Sequence, residues 1–156
     1  MLARLFPRQF DNRFHGWRAA LWILGLLLFL RLAMSINSIV NTESVAAGAD
    51  KFPLASYGAD GARAVLMLFA LHSLAEMILA LVGVLALVRY RAMVPLMFML
   101  LSAEHVARRL IVQGYAIARS EPTTAAYVIN YGMLALLLGG LLLSLLPARA
   151  RGSKKV

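Results

Sequence analysis

One stretch of the chain decides its fold: residues 19–40 have the sequence AALWILGLLLFLRLAMSINSIV. Its only charged residue is Arg31, and about 20 mostly apolar residues are enough for a helix to cross the hydrocarbon core of a bilayer. The basic residues before it and the apolar run 21–30 are typical of a secretory signal. However, Ala33-Met34-Ser35 is a poor cleavage site, and apolar sequence resumes after Arg31. The stretch therefore predicts an uncleaved membrane-spanning helix.

The composition of the whole chain agrees with a membrane protein. Of the 156 residues, 62% are hydrophobic and 15% are charged, whereas about 25% of residues are charged in soluble domains. A soluble domain of this size could not bury so much apolar surface, and a disordered chain would be far more polar. The absence of cysteine excludes disulfides, thiolate catalysis and cysteine-ligated metal centres.

Three further stretches are long and apolar enough to span a bilayer: residues 65–88, 93–112 and 127–146. Asp60 and Gly61 suit a capping turn before the second span, and the link at 89–91 is so short that the second and third spans must form a hairpin. We therefore predict an all-α protein, an integral-membrane four-helix bundle of antiparallel up-down topology over residues 19–146.

The distribution of Lys and Arg predicts the orientation of this bundle. Ten of them flank the spans on one side and three on the other, and such an excess marks the cytoplasmic side. The ten are Arg4, Arg8, Arg13, Arg18, Arg89, Arg91, Arg149, Arg151, Lys154 and Lys155; the three are Lys51, Arg63 and Arg119. We expect an inner-membrane protein with both termini in the cytoplasm and with loops 41–64 and 113–126 outside. The formal charge of +9 then indicates anionic lipids on the cytoplasmic side as partners, rather than nucleic acid.

Both ends of the chain are basic and differ from the spans. Large apolar residues recur about every four positions in residues 1–18, with arginines between them, and this spacing predicts a short amphipathic arm in the membrane interface. The apolar residues are Leu2, Phe6, Phe10, Phe14 and Trp17. Pro7 argues against one continuous helix, and docking to a partner is the alternative role of the arm. Residues 147–156 form a basic cytoplasmic tail.

Charged residues lie at the middle of three predicted spans. Arg31, Glu76 and Glu104 each fall within two residues of the middle, which is within about 3 Å of one depth at the rise of a helix. A charge at the centre of a bilayer costs about 2.5–3.5 kcal/mol on insertion scales. Two acids and one arginine at one depth therefore predict an ion-paired cluster inside the bundle.

More polar residues lie on the outer side of this cluster. His72 is one helical turn from Glu76, Arg108 is one turn from Glu104, and His105 follows Glu104 directly. Because the inner halves of the spans are almost purely apolar, we expect a polar site open to the outside and no continuous pore. The predicted ligand-binding or proton-relay residues are Arg31, His72, Glu76, Glu104, His105 and Arg108.

These residue types favour proton relay or the binding of an anionic small molecule or lipid, because carboxylates and histidines titrate and arginines bind anions. The sequence identifies no cofactor; three nearby arginines disfavour a metal or haem held by His72 and His105. Two other hypotheses stay open. The charges can pair with the helices of a larger membrane complex, or the protein can be an enzyme for a lipophilic substrate with Glu76 or Glu104 as general base.

Glycines in the predicted spans allow close contact between helices. They are Gly25, Gly83, Gly132, Gly139 and Gly140. We therefore expect the protein to act as a homo-oligomer or as a subunit of a larger membrane complex.

Overall fold

The computed structural model describes residues 5–6, 9, 11–49, 51–115 and 124–147, with the side chains of the last range described from residue 128. All regular secondary structure in these ranges is helical. The α-helices are α1 (Arg18–Val40), α2 (Thr42–Gly48), α3 (Ala59–Arg89), α4 (Val94–Gly114) and α5 (Thr124–Leu145), and Leu54–Ser56 and Arg91–Met93 form 3₁₀ turns. Most of the arm before Asp11, the centre of the loop 113–126 and the basic tail after Pro147 lie outside the described residues.

The long helices agree with the predicted spans except at the start of α3. That helix begins at Ala59 rather than at residue 65, so Asp60 and Gly61 lie inside its first turn and the predicted capping turn is wrong. Asp60 favours this earlier start because a negative charge in the first turn complements the helix dipole. Asp60 Oδ1 also lies 3.7 Å from Arg63 Nη1 on the exposed surface.

Three helices are long and apolar enough to cross a membrane: α1, α3 and residues 128–145 of α5. The helix α4 has 21 residues and Pro95 in its first turn, where a missing N–H is tolerated. Glu104, Arg108 and Arg109 interrupt its apolar character. Length and composition therefore give three candidate spans among the described residues, and the charged residues of α4 exclude it from this set.

The long helices pack in pairs through small residues. In α1 and α3, Leu28 lies against Gly83 and Gly25 lies beside Leu87, so the two helices run in opposite directions. In α4 and α5, the ring of Phe98 lies directly against Gly140. The helix α1 also packs on α5, whereas α3 and α4 contact each other little although a short turn joins them. The core is built from the buried faces of these helices: Ala20, Leu24, Leu27, Leu28, Ala80, Ala86, Val94, Met97, Phe98, Leu101 and Leu137.

The segment before α1 is irregular over residues 11–17. The Trp17 N–H donates to the Leu143 carbonyl at 3.1 Å, and the Trp17 indole donates to the Pro147 carbonyl at 3.2 Å. The Ala92 N–H donates to the Asp11 carbonyl at 3.2 Å. Backbone groups of this segment thus bond to α5 and to the turn at 91–93, so the predicted helical spacing through Phe14 and Trp17 is wrong for these residues.

The loop between α1 and α3 folds over its own helix α2. The Phe52 N–H donates to the Ala46 carbonyl at 3.0 Å, and Ala46 is fully buried. The ring of Phe52 meets that of Phe69 on α3 edge to face, with 6.2 Å between centroids. The loop is thereby fixed against the end of α3 that lies away from the turn at 91–93.

Candidate functional site

Arg31 is the most deeply buried charged residue of the site. Its side chain is 3% exposed, and its Nη2 donates to Glu104 Oε2 at 2.5 Å. Arg31 lies on α1 and Glu104 lies on α4, two helices that otherwise pack little against each other. The ion pair is therefore the main polar link between them.

Arg108 connects the carboxylates of two helices. It lies one turn after Glu104 on α4, and its Nε is 3.4 Å from Glu104 Oε1. Its Nη1 is 2.9 Å from Glu76 Oε1 on α3. A long side chain thus bridges α3 and α4 at a level where their own packing is sparse.

His72 ends this chain of contacts. Its Nε2 lies 3.4 Å from Glu76 Oε1, one turn away on α3, and its side chain is 49% exposed. We name the connected residues the ion network; in order they are Arg31, Glu104, Arg108, Glu76 and His72. The network leads from the centre of the molecule to its surface between α3 and α4.

The ion network contains two arginines and two glutamates, so its formal charges cancel when His72 is counted as neutral. Each carboxylate is partly covered, with Glu76 16% and Glu104 24% exposed. The contacts at Glu76 Oε1 and Glu104 Oε1 are close charge pairs that lack the angles of directed hydrogen bonds. Arg108 occupies the space between the carboxylates where a cation would bind.

Several buried polar atoms around Arg31 have no hydrogen-bond partner among the described residues. They are Arg31 Nη1, Ser35 Oγ and both ring nitrogens of His105. Ser35 lies one turn after Arg31, so two of these groups share one face of α1. Unsatisfied buried polar groups cost about 1–3 kcal/mol each, and they concentrate where structure serves function rather than stability.

His105 is predicted in the site and lies near the ion network without being joined to it by an ion pair or hydrogen bond between described residues. It is 1% exposed, and its ring lies near the backbone of Asn130 on α5 without a well-formed hydrogen bond. It makes no ion pair with any residue that the structure describes. The other five predicted site residues are brought together, and His105 faces α5 instead.

The sequence did not pair Arg109 with Tyr131. The Arg109 guanidinium lies 5.0 Å from the centre of the Tyr131 ring, and its Nη2 donates to the Tyr131 hydroxyl at 3.4 Å. Arg109 lies near the C-terminal end of α4 and Tyr131 lies near the N-terminal end of α5, so both are close in sequence to the loop that joins these helices. This position is the feature of the sequence that could have indicated the contact. A cation over an aromatic face gains about 0.5–2 kcal/mol, so this contact gives the second arginine of α4 a partner.

No group of three or more histidines, aspartates and glutamates arranged to hold a metal ion occurs in the described part of the chain. Comparisons with protein-family models, with curated proteins and with solved structures give no match to this chain. The function is therefore argued from the ion network itself.

Proposed function

We propose that this protein is a four-helix bundle of the inner membrane with both termini in the cytoplasm. The support for a membrane-embedded α4 is that its charged side chains have partners within the protein: Glu104 contacts Arg31, Arg108 contacts Glu76, and Arg109 contacts Tyr131. Pairing lowers the cost of charge in hydrocarbon, which is the obstacle to inserting this helix.

We propose further that the ion network binds and exchanges a proton near the middle of the membrane. The main support for this proposal is that the ion network is continuous: contacts of 2.5–3.4 Å connect buried Arg31 to half-exposed His72. Arginine stays protonated, so the groups that exchange a proton are the carboxylates and the histidine. The apolar inner halves of the helices provide no path onward, so proton binding acts on the protein's own conformation rather than on conduction through a pore.

Glu76 is the proton-exchanging group in this proposal and Glu104 is a positioning residue. Glu104 touches two arginines, Arg31 and Arg108, and ties three side chains together. Glu76 touches one arginine and His72, whose imidazole connects it to the surface. A proton on Glu76 weakens its pairing with Arg108, and Arg108 can then turn fully toward Glu104.

The test compares Glu76→Gln and Glu104→Gln in purified protein reconstituted in nanodiscs. Glutamine keeps the shape of the side chain but cannot take up a proton. We expect Glu76→Gln to lose about one proton of uptake per protomer after a downward pH jump, followed with a pH indicator. Glu43→Gln on α2 is the matched control, because Glu43 is exposed and lies outside the ion network.

Expression level and oligomer size of the same variants distinguish proton exchange from a role in assembly. If the ion network serves only to stabilise a larger complex, both glutamine variants should lower the abundance of the protein or release it from its partners. Wild-type proton uptake by Glu76→Gln at normal abundance contradicts the proposal.

A further inference from the structure

The surface between α3 and α4 combines sparse helix packing with exposed polar groups. The helix α3 packs mainly on α1, and α4 packs mainly on α5. His72 is 49% exposed and Arg108 is 36% exposed. We name the surface formed by these two side chains the α3–α4 patch.

Hydrogen-bond donors dominate the α3–α4 patch. The carboxylates of Glu76 and Glu104 are mostly covered, and the ion pairs of Arg108 use its Nε and Nη1. Its Nη2 makes no ion pair with any described residue, and the side chain as a whole is 36% exposed. Donors on the surface and acceptors beneath it favour an anionic ligand.

The environment of the α3–α4 patch is apolar. Large exposed side chains lie one helical turn from its two polar groups, Leu68 before His72 on α3 and Ile111 after Arg108 on α4. Arg108 lies about 6 Å from the middle of α4, four residues past Glu104 at the rise of a helix, and its long side chain can extend toward the headgroups. A ligand with an anionic head and apolar chains matches both parts of this surface.

We propose that the α3–α4 patch binds an anionic phospholipid. The phosphate oxygens accept hydrogen bonds from Arg108 and His72, and the acyl chains lie along the exposed apolar side chains of α3 and α4. Guanidinium groups suit phosphate because they donate several hydrogen bonds in a fixed plane. The inference rests on the proposed function only in placing these helices in the bilayer.

The experiment is native mass spectrometry of the full-length protein, released from detergent containing phosphatidylglycerol, phosphatidylcholine or oleate. We expect one phosphatidylglycerol per protomer, retained about tenfold more tightly than phosphatidylcholine. Arg108→Gln and His72→Gln should each weaken its retention about tenfold. Arg63→Gln, which removes an exposed charge from the same helix α3, should leave retention unchanged.

His72→Gln decides the matter if Arg108→Gln does not fold, because His72 is half-exposed. Equal retention of both phospholipids overturns the proposal, and so does retention of oleate without phosphatidylglycerol, which would assign a fatty acid. A dimer that Arg108→Gln dissociates without any lipid dependence would assign the surface to a second copy and also overturns it. Glu76→Gln separates the two proposals, since it should keep phosphatidylglycerol while losing proton uptake.

Discussion

Arg31 is the residue on which the ion network depends most, because it is nearly fully buried and its side chain hydrogen-bonds to Glu104 and to no other described residue. Removing Arg31 alone leaves Glu104 with one partner, Arg108, at a longer distance. Breaking a buried ion pair by deleting one partner typically costs about 3–5 kcal/mol, because the other charge stays buried. Deleting both partners removes that penalty.

A double-mutant cycle tests this pairing. We expect Arg31→Leu to lower the free energy of unfolding by about 3–5 kcal/mol, and Arg31→Leu with Glu104→Leu to be less damaging than Arg31→Leu alone. The measurement is reversible unfolding in mixed micelles. The cycle of Arg31→Leu with Glu43→Leu is the control, since Glu43 is exposed on α2 and lies outside the ion network. Purely additive losses for Arg31 and Glu104 would show that the two are uncoupled.

The sequence located the charged residues of the site and the pairs within one helix, His72 with Glu76 and Glu104 with Arg108, but not the pairs between helices. The position of a residue along a span gives its depth, and depth placed Arg31, Glu76 and Glu104 at one level. Which acid meets Arg31 depends on how each helix is rotated about its axis, and four apolar helices with nearly uniform sides give little information on rotation. For the same reason the sequence could not predict that the His105 ring lies near the backbone of Asn130 on α5, and its role in the site stays a prediction.

At the scale of elements, two glycines determine how closely the helices approach. A Cβ at Gly140 would collide with the ring of Phe98, which is fully buried and cannot move aside. A Cβ at Gly83 would lie 2.5 Å from Leu28 Cδ2, the end of a flexible side chain that can change rotamer. Gly132 has no neighbour within 4 Å of such an atom. The steric cost of adding a Cβ atom should therefore fall from Gly140 to Gly83 to Gly132.

We expect Gly140→Ala to destabilise the protein by about 1–3 kcal/mol, the usual cost of overpacking a core. Gly83→Ala should cost less, because Leu28 can yield. Gly132→Ala should be neutral or slightly stabilising, since alanine favours a helix by up to about 1 kcal/mol over glycine. Thermal unfolding in detergent measures all three. Equal effects at Gly140 and Gly132 would contradict the packing of α4 on α5.

The elements differ in how far the sequence predicted them. Long apolar runs gave α1, α4 and α5 nearly to their ends, because burial in hydrocarbon requires about 20 apolar residues whatever the details. The start of α3 was not predicted because residues 59–64 contain no run of large apolar side chains. The segment 11–17 was missed because its backbone hydrogen bonds go to residues distant in sequence, such as Leu143, which periodicity does not reveal.

At the scale of the whole molecule, the segment before α1, the end of α5 and the turn at 91–93 meet at one end. The segment before α1 bonds to the carbonyl of Leu143 near the end of α5, and Asp11 bonds to Ala92 in the turn between α3 and α4. Of the ten Lys and Arg residues that predicted a cytoplasmic face, the structure describes Arg13, Arg18, Arg89 and Arg91, and these contacts bring all four to the same end.

Cysteine labelling tests the orientation of this end of the molecule. The chain contains no cysteine, so any labelling of a variant with a single introduced cysteine comes from that position. Ser56 and Asn12 are both exposed, the first in the loop between α1 and α3 and the second in the segment before α1. We expect Ser56→Cys to react with a membrane-impermeant maleimide in intact spheroplasts, and Asn12→Cys to react only after lysis. Positive charge resists translocation, so the side with the most Lys and Arg should stay in the cytoplasm. Labelling of Asn12→Cys but not Ser56→Cys in intact spheroplasts would reverse the orientation and place the α3–α4 patch nearer the cytoplasmic leaflet, where anionic lipids are concentrated.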